Sequence, residues 1–186
     1  MKELREQRKG GKIPDTLLLV EHPHVITVGV QGADGETIPE NIPLYNVERG
    51  GKATYHGPGQ QVGYLIVDLN ARGRDVRKFV HDVEELVIRA LAPIGVEASR
   101  AEGKRGVWVG TKKIASVGIA VEGWVTYHGF ALNVNTDLAY FESFHPCGFE
   151  GRVMTSVEKV LGRPVGLSEV KPPIITAWNE LFRSGV

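Results

Sequence analysis

Short apolar runs rich in β-branched residues fill the first part of the chain, a helical period takes over at Asp75, and short runs return after Gly106. "DTLLLVEH" and "VITVGV" predict two buried strands joined by a tight connection through "HPH". "LYNVE" and "VGYLIVDL" are further strands, and the glycine-rich stretch "RGGKATYHGPGQQ", Arg49 to Gln61, is expected as a loop held between them. Before all of these, "KELREQRK" reads as a polar helical end cut off by Gly10 and Gly11. From Asp75 onward, Val76, Phe79, Val80, Val83, Leu86, Val87 and Leu91 recur at helical spacing. Asp75 can cap that helix and "PIG" stops it. "GVWVGTKKIASVGIAVEGWVTYHGFALNVN" then predicts a meander of strands with turns near Gly110 and Gly123. A last amphipathic helix follows "KPP" on Ile174, Ile175, Trp178, Leu181 and Phe182. With no repeat and no linker, residues 1–186 are expected to be a single domain. The class is α+β, or α/β in looser schemes: a central, mostly antiparallel mixed sheet flanked by helices.

Charge adds little. Lys and Arg number 22, as do Asp and Glu, so no basic excess points to nucleic acid. No apolar run reaches about 18 residues, and "MKELREQRKGGK" lacks a signal-peptide core, so the expectation is a cytoplasmic protein with no membrane segment.

The only cysteine, Cys147, excludes an intrachain disulfide and a multi-Cys zinc site. In "HPCGFEG" it stands between Pro146 and Gly148, a setting that holds a side chain out of a turn. Unpaired cysteines are more often buried and inert. A free thiol is only roughly 3% thiolate at neutral pH, so a nucleophilic one needs a cationic or basic neighbour. Lys113 is one candidate: strict alternation puts it on the apolar face of Ala115, Val117, Ile119 and Val121, although a lysine at a strand end commonly snorkels to water. His56 competes for the role as a Cys/His partner, or serves as a hydrogen-bonding wall. His22, His24, His128 and His145 lack metal-ligand spacing and are expected to be structural or solvated, so no metal site is assigned. Arg72, Arg74, Arg77 and Lys78 either attract an acidic partner or form a solvated helix start.

Four ordered stretches, "RGGKATYHGPGQQVGYL", "KKIASVGI", "HGFALNVN" and "PCGFEGRVMTSV", resemble the motif set of the lipoyl(octanoyl) transferases. The likeness runs from about Leu17 to Val160. It implies the fold of biotin and lipoate protein ligases and a two-step acyl transfer. Cys147 would take an octanoyl (or lipoyl) group from acyl carrier protein as a thioester and yield it to a lysine of a lipoyl domain, while Lys113 lowers the thiol pKa. The acceptors implied are the 2-oxoacid dehydrogenases and the glycine cleavage H protein. No cofactor is implied, since the donor's phosphopantetheine carries the acyl group, and the chain is expected to be a monomer. The family's substrate-binding segments fall here on Arg49, Gly50, Gly51, Lys52, Ala53, Thr54, Tyr55 and His56, on Ser116, Val117 and Gly118, and on Gly129, Phe130 and Ala131. Tyr55 and Val117 are expected against the acyl tail, with Arg49 fixing the loop or meeting phosphopantetheine. Glycines would let main chain approach the thioester. Two other readings are an ATP-dependent lipoate or biotin ligase of the same fold, which should not need Cys147, and a noncatalytic acyl-binding module. Members of the family ordinarily open with a further helical segment, so this chain's start at "MKELREQRK" reads as shortened or misassigned.

Overall fold

Residues 1–33, 39, 41–142 and 153–183 are described by the structure, a computed structural model. The meander is the centre of a six-stranded antiparallel sheet. Its strands are β1 (Thr16–Val20), β5 (Gln60–Ile66), β6 (Ser99–Ala101), β7 (Lys104–Val109), β8 (Lys112–Glu122) and β9 (Val125–Asn133), in the order β1-β5-β9-β8-β7-β6. The turns fall where glycine permits left-handed backbone, at Gly110 (φ 56°) and Gly123 (φ 58°).

A second sheet holds β2 (Val25–Val28), β3 (Leu44–Asn46) and β4 (Ala53–His56) in the order β3-β2-β4. Two expectations change here. β1, expected to be buried, is only half-buried, and the "HPH" connection carries the chain from one sheet to the other. The glycine-rich segment is not all loop either. "ATYH" alternates small or aromatic with polar residues and pairs antiparallel with β2 as β4, with Gly50 and Gly51 before it and Gly57 and Gly59 after.

The helices segregate. α2 (Val76–Leu91), capped by Asp75 through the Lys78 amide at 2.9 Å, buries Phe79, Val83, Leu86, Val87 and Leu91. It packs with α5 (Leu167–Trp178) on one face of the large sheet, against Leu65, Val67, Ala115, Ile119 and Leu132. α5 starts at Leu167, ahead of the predicted "KPP" boundary. It carries Pro172 and Pro173 inside and runs into a wide last turn, Asn179–Arg183. Ile174, Trp178 and Phe182 are buried, but Ile175 is 47% exposed, the wrong side of the stripe. α1 (Lys2–Lys9) lies on the opposite face, its Arg5 guanidinium 5.1 Å from the Tyr127 ring. Two short helices, α3 (Ala139–Glu142) and α4 (Val157–Leu161), and two 3-10 turns, Asn70–Arg72 and Ala92–Ile94, complete the described elements. Among the described residues no helix is long and apolar enough to cross a membrane.

Candidate active site

The side of the large sheet away from α2 faces the small sheet, and a cavity of about 290 Å³ lies between them. Register and alternation decide which side chains reach it. Val62 pairs with Ala131 and Ala131 with Ser116, and Tyr64 pairs with Gly129 and Gly129 with Gly118. These residues form the cavity-facing rows of β5, β9 and β8. Val117 and Phe130 border the cavity too, although their side chains belong to the core under α2. From the small sheet, Thr27, Thr54 and His56 line the opposite wall. Their neighbours Ala53 and Tyr55 point the other way, into a second core with Ile26, Val28 and Phe141. The expected place of Tyr55 against an acyl tail is therefore not where its ring lies: it stacks 4.8 Å from Tyr140, and its hydroxyl meets His24 Nδ1 at 2.7 Å.

The loop Arg49–Lys52 closes the cavity from the side, latched to β8 by the Gly50 amide on the Ile119 carbonyl at 2.9 Å. Arg49 is 7% exposed, and its guanidinium is turned inward. Nη1 donates to the Lys52 carbonyl at 2.8 Å, and Nη2 donates to the Thr27 carbonyl at 2.7 Å and the Thr27 hydroxyl at 2.9 Å. Of its two expected roles, this geometry is that of a loop lock. Gly29 makes it possible: a methyl group there would stand 2.3 Å from the Gly51 carbonyl oxygen and 2.8 Å from Arg49 Nη1.

Lys113 reaches the cavity by a different route from the one alternation predicts. Val107 pairs with Ala115, but Trp108 pairs with Lys113, so the register slips and Ile114 is the extra residue of a bulge. That slip takes Lys113 off the face of Ala115 and onto the cavity side, where its side chain is 3% exposed and lines the wall. Nζ is 5.8 Å from the Trp108 ring centre. Gly106, at φ 109°, gives the lysine its berth: a methyl group there would lie 2.7 Å from Lys113 Cε and 2.5 Å from the Ala115 carbonyl oxygen. Behind it, the Gly106 amide donates to Glu84 of α2 at 2.8 Å. The Lys113 carbonyl accepts from the Thr155 amide at 2.9 Å, which ties residues 154 and 155 to the start of β8.

The imidazoles of His56 and His128 are both pushed down to about 4. Burial is the main cause in each, and the Arg49 charge adds to it. His128, expected to be structural or solvated, borders the cavity: its backbone is left-handed at φ 62°, and its ring is edge-on to Tyr64 at 6.2 Å. His22 and His24 do play structural parts, on Tyr64 and Tyr55. Cys147 and His145 lie outside the described residues. Thr27, Val62, Tyr64, Arg105 and Gly106 border or shape the site without having been singled out from sequence. Alternation in "VITV" offers a signal for Thr27 alone. The basic group at the α2 start is largely engaged: Arg72 caps the Phe182 carbonyl at 2.5 Å, Arg74 lies over Trp124, and Lys78 pairs with Asp82.

Residues 1–179 match the lipoyl protein ligase A/B catalytic domain. The chain is 45% identical over 174 residues to an octanoyltransferase of Syntrophotalea carbinolica, covering 94% of this chain and 82% of that one. It is likewise 45% identical over 188 residues to an octanoyltransferase of Alkaliphilus metalliredigens, covering 97% and 86%. Among solved structures, a lipoate-protein ligase A bound with ATP superposes with a TM-score of 0.79 at 19% identity, over 91% of this chain and 73% of that one. A biotin protein ligase from Aquifex aeolicus superposes at 0.58 and 14% identity, over 84% and 70%. The fold is that of the lipoate and biotin protein ligases, and the chain belongs to the lipoyl protein ligase A/B catalytic-domain family, among its octanoyltransferases.

Proposed function

We propose that this chain transfers an octanoyl group from acyl carrier protein to a lysine of a lipoyl domain through a thioester on Cys147. It does so as a single-domain, cytoplasmic monomer that needs no cofactor beyond the donor's phosphopantetheine. In the first step the Cys147 thiolate attacks the donor thioester carbonyl, and the pantetheine sulfur leaves with the electrons of the broken C–S bond. In the second, the lysine amine of the acceptor attacks the acyl-cysteine, forming the amide and returning the thiol. The observation that carries this reading is the buried Lys113 side chain, turned by a bulge into a cavity that is largely apolar and glycine-walled. An ammonium there favours a neighbouring thiolate over a thiol. The flanks of the segment containing Cys147 support it. Phe141 and Met154 share one core with Tyr55, and Thr155 is bonded to Lys113.

Mass spectrometry after incubation with octanoyl carrier protein tests the proposal. A hydroxylamine-labile adduct of one octanoyl group on Cys147 is expected, absent in Cys147→Ser, which should fold but not transfer. Normal transfer by Cys147→Ser would refute the thioester. In Lys113→Ala the pH midpoint of Cys147 alkylation by iodoacetamide should rise, and an unchanged midpoint would remove Lys113 from the mechanism.

A further inference from the structure

Hydrogen-bond polarity is forced at one point of the cavity wall, and the forcing groups are backbone carbonyls. Gln60 Nε2 lies 2.9 Å from Asn133 Oδ1 and 3.4 Å from the Tyr55 carbonyl oxygen, and Asn133 Nδ2 lies 3.1 Å from the Thr155 carbonyl oxygen. A carbonyl oxygen only accepts, so both amide nitrogens face their carbonyls and neither side chain can be flipped. Gln60 Oε1 is then the atom 2.7 Å from His56 Nδ1. The neutral imidazole therefore carries its proton on Nδ1 and leaves a lone pair on Nε2. Thr27 Oγ1 already accepts from Arg49 Nε and Nη2, so toward the imidazole it has only its own proton to give, and at 3.4 Å from Nε2 it is far enough away that a better-placed donor takes the single lone pair in its stead.

His56 Nε2 is thus an acceptor whose polarity the surrounding bonds fix, in a wall whose charged side chains only donate. Arg49, Lys52, Arg105 and Lys113 only donate. The hydroxyls of Thr27, Thr54, Ser116 and Tyr64, the Gln31 amide and the His128 imidazole serve either way, and no carboxylate lines the cavity among the described residues. The same buried run of bonds, His56 to Gln60 to Asn133 to Thr155, ends on the Lys113 carbonyl, so acceptor and cation are held in one frame. An octanoyl thioester has no N–H or O–H to offer an acceptor at its reacting carbon. The attacking amine does.

We propose that His56 Nε2 accepts a hydrogen bond from the acceptor lysine's amine in the second half-reaction and aims the nitrogen lone pair at the acyl carbon. The assignment rests on the acyl-cysteine route proposed above. In that step the nitrogen bonds to the octanoyl carbonyl carbon, the C–S bond breaks toward sulfur, and the proton shed by nitrogen ends on that sulfur. His56 is neutral before and after. It orients the nucleophile and takes no net proton, in keeping with an imidazole too weakly basic to hold one.

The test separates the half-reactions in the full-length protein: acyl-enzyme formation from octanoyl carrier protein by mass, then single-turnover transfer to a lipoyl domain. His56→Phe is expected to slow transfer by about 100-fold, the scale of a misaimed nucleophile, and at least tenfold more than it slows loading. His56→Gln, which can return an oxygen near the position of Nε2, should recover at least tenfold of the lost transfer. If His56→Phe does not fold, His56→Asn is held to the same expectation. Nitrogen-15 NMR of the wild-type imidazole should show the proton on Nδ1. Equal slowing of both half-reactions, no slowing, or a proton on Nε2 would overturn the assignment while leaving the acyl-cysteine route standing. A wild-type protein that never forms an acyl-enzyme would take down both.

Discussion

At Gly106 a single hydrogen atom in place of a methyl group sets where Lys113 can lie. Gly106→Ala is expected to cost more than about 1 kcal/mol in denaturation, because φ 109° is strained for any side chain and the new methyl meets both the Ala115 carbonyl oxygen and the lysine stem. Acyl loading should fall further than stability explains; wild-type loading in a folded Gly106→Ala protein would show that the lysine has another berth. Ala131 makes a gentler case. Its side chain faces the cavity between Val62 and Ser116, so Ala131→Leu should shift preference toward shorter acyl donors, at about 0.8 kcal/mol per methylene excluded. Competition between hexanoyl and octanoyl donors measures it, and an unchanged ratio would place the tail elsewhere. Residue identity alone was enough to single out Lys113 and Arg49, as unusual charges beside apolar or glycine-rich sequence. It did not reveal Gly106, whose importance arises from a neighbour seven positions away that touches it only across two paired strands.

At the level of elements, α2 and β7 are joined through a buried acid. Glu84 accepts from the Gly106 amide and lies 3.5 Å from Arg100, so the helix that builds the core also braces the strand under the lysine. Glu84→Ala leaves that amide without a partner and is expected to cost about 1–3 kcal/mol, whereas Glu84→Gln keeps an acceptor oxygen and should lose much less. Chemical denaturation of the two variants compares them, and equal losses would mean that charge rather than the bond to Gly106 matters. The helix itself was plain from its apolar period and its Asp75 cap, because both are written in neighbouring residues. Partner choice between strands is not local. β1 finds β5, pairing Leu18 with Tyr64, while β2 turns away to a different sheet, and nothing in "DTLLLVEHPHVITV" distinguishes the two. The bulge at Ile114 hid for the same reason, since a register slip belongs to a pair of strands.

Over the whole molecule, two neutral imidazoles make the fold sensitive to acid. Above about pH 6.5, His56 and His128 are uncharged both folded and unfolded, so they add no slope. Between about 6.5 and 4 the unfolded chain binds protons that the folded one refuses, and stability drops as pH falls by up to about 1.4 kcal/mol per pH unit for each histidine. The groups around them are Gln60, Arg49 and His22 for His56, with Glu48, Arg49 and Lys2 about His128. Denaturation midpoints at pH 7 and pH 5 should differ in that direction, and His128→Gln should flatten part of the difference; a flat wild-type profile would mean that both rings charge freely. The slip at Ile114 has its own whole-molecule consequence. One additional residue sets the parity of a single lysine and leaves the rest of β8 paired as before. Excision of that one codon would leave Trp108 paired with Lys113 and Val107 with Ala115, so the amine would stay on the cavity side; only a strand that kept Ile114 and paired it in regular alternation would turn the amine to the hydrocarbon side. Which wall receives the amine is thus decided in this architecture by whether one residue is counted in the pairing or left out of it.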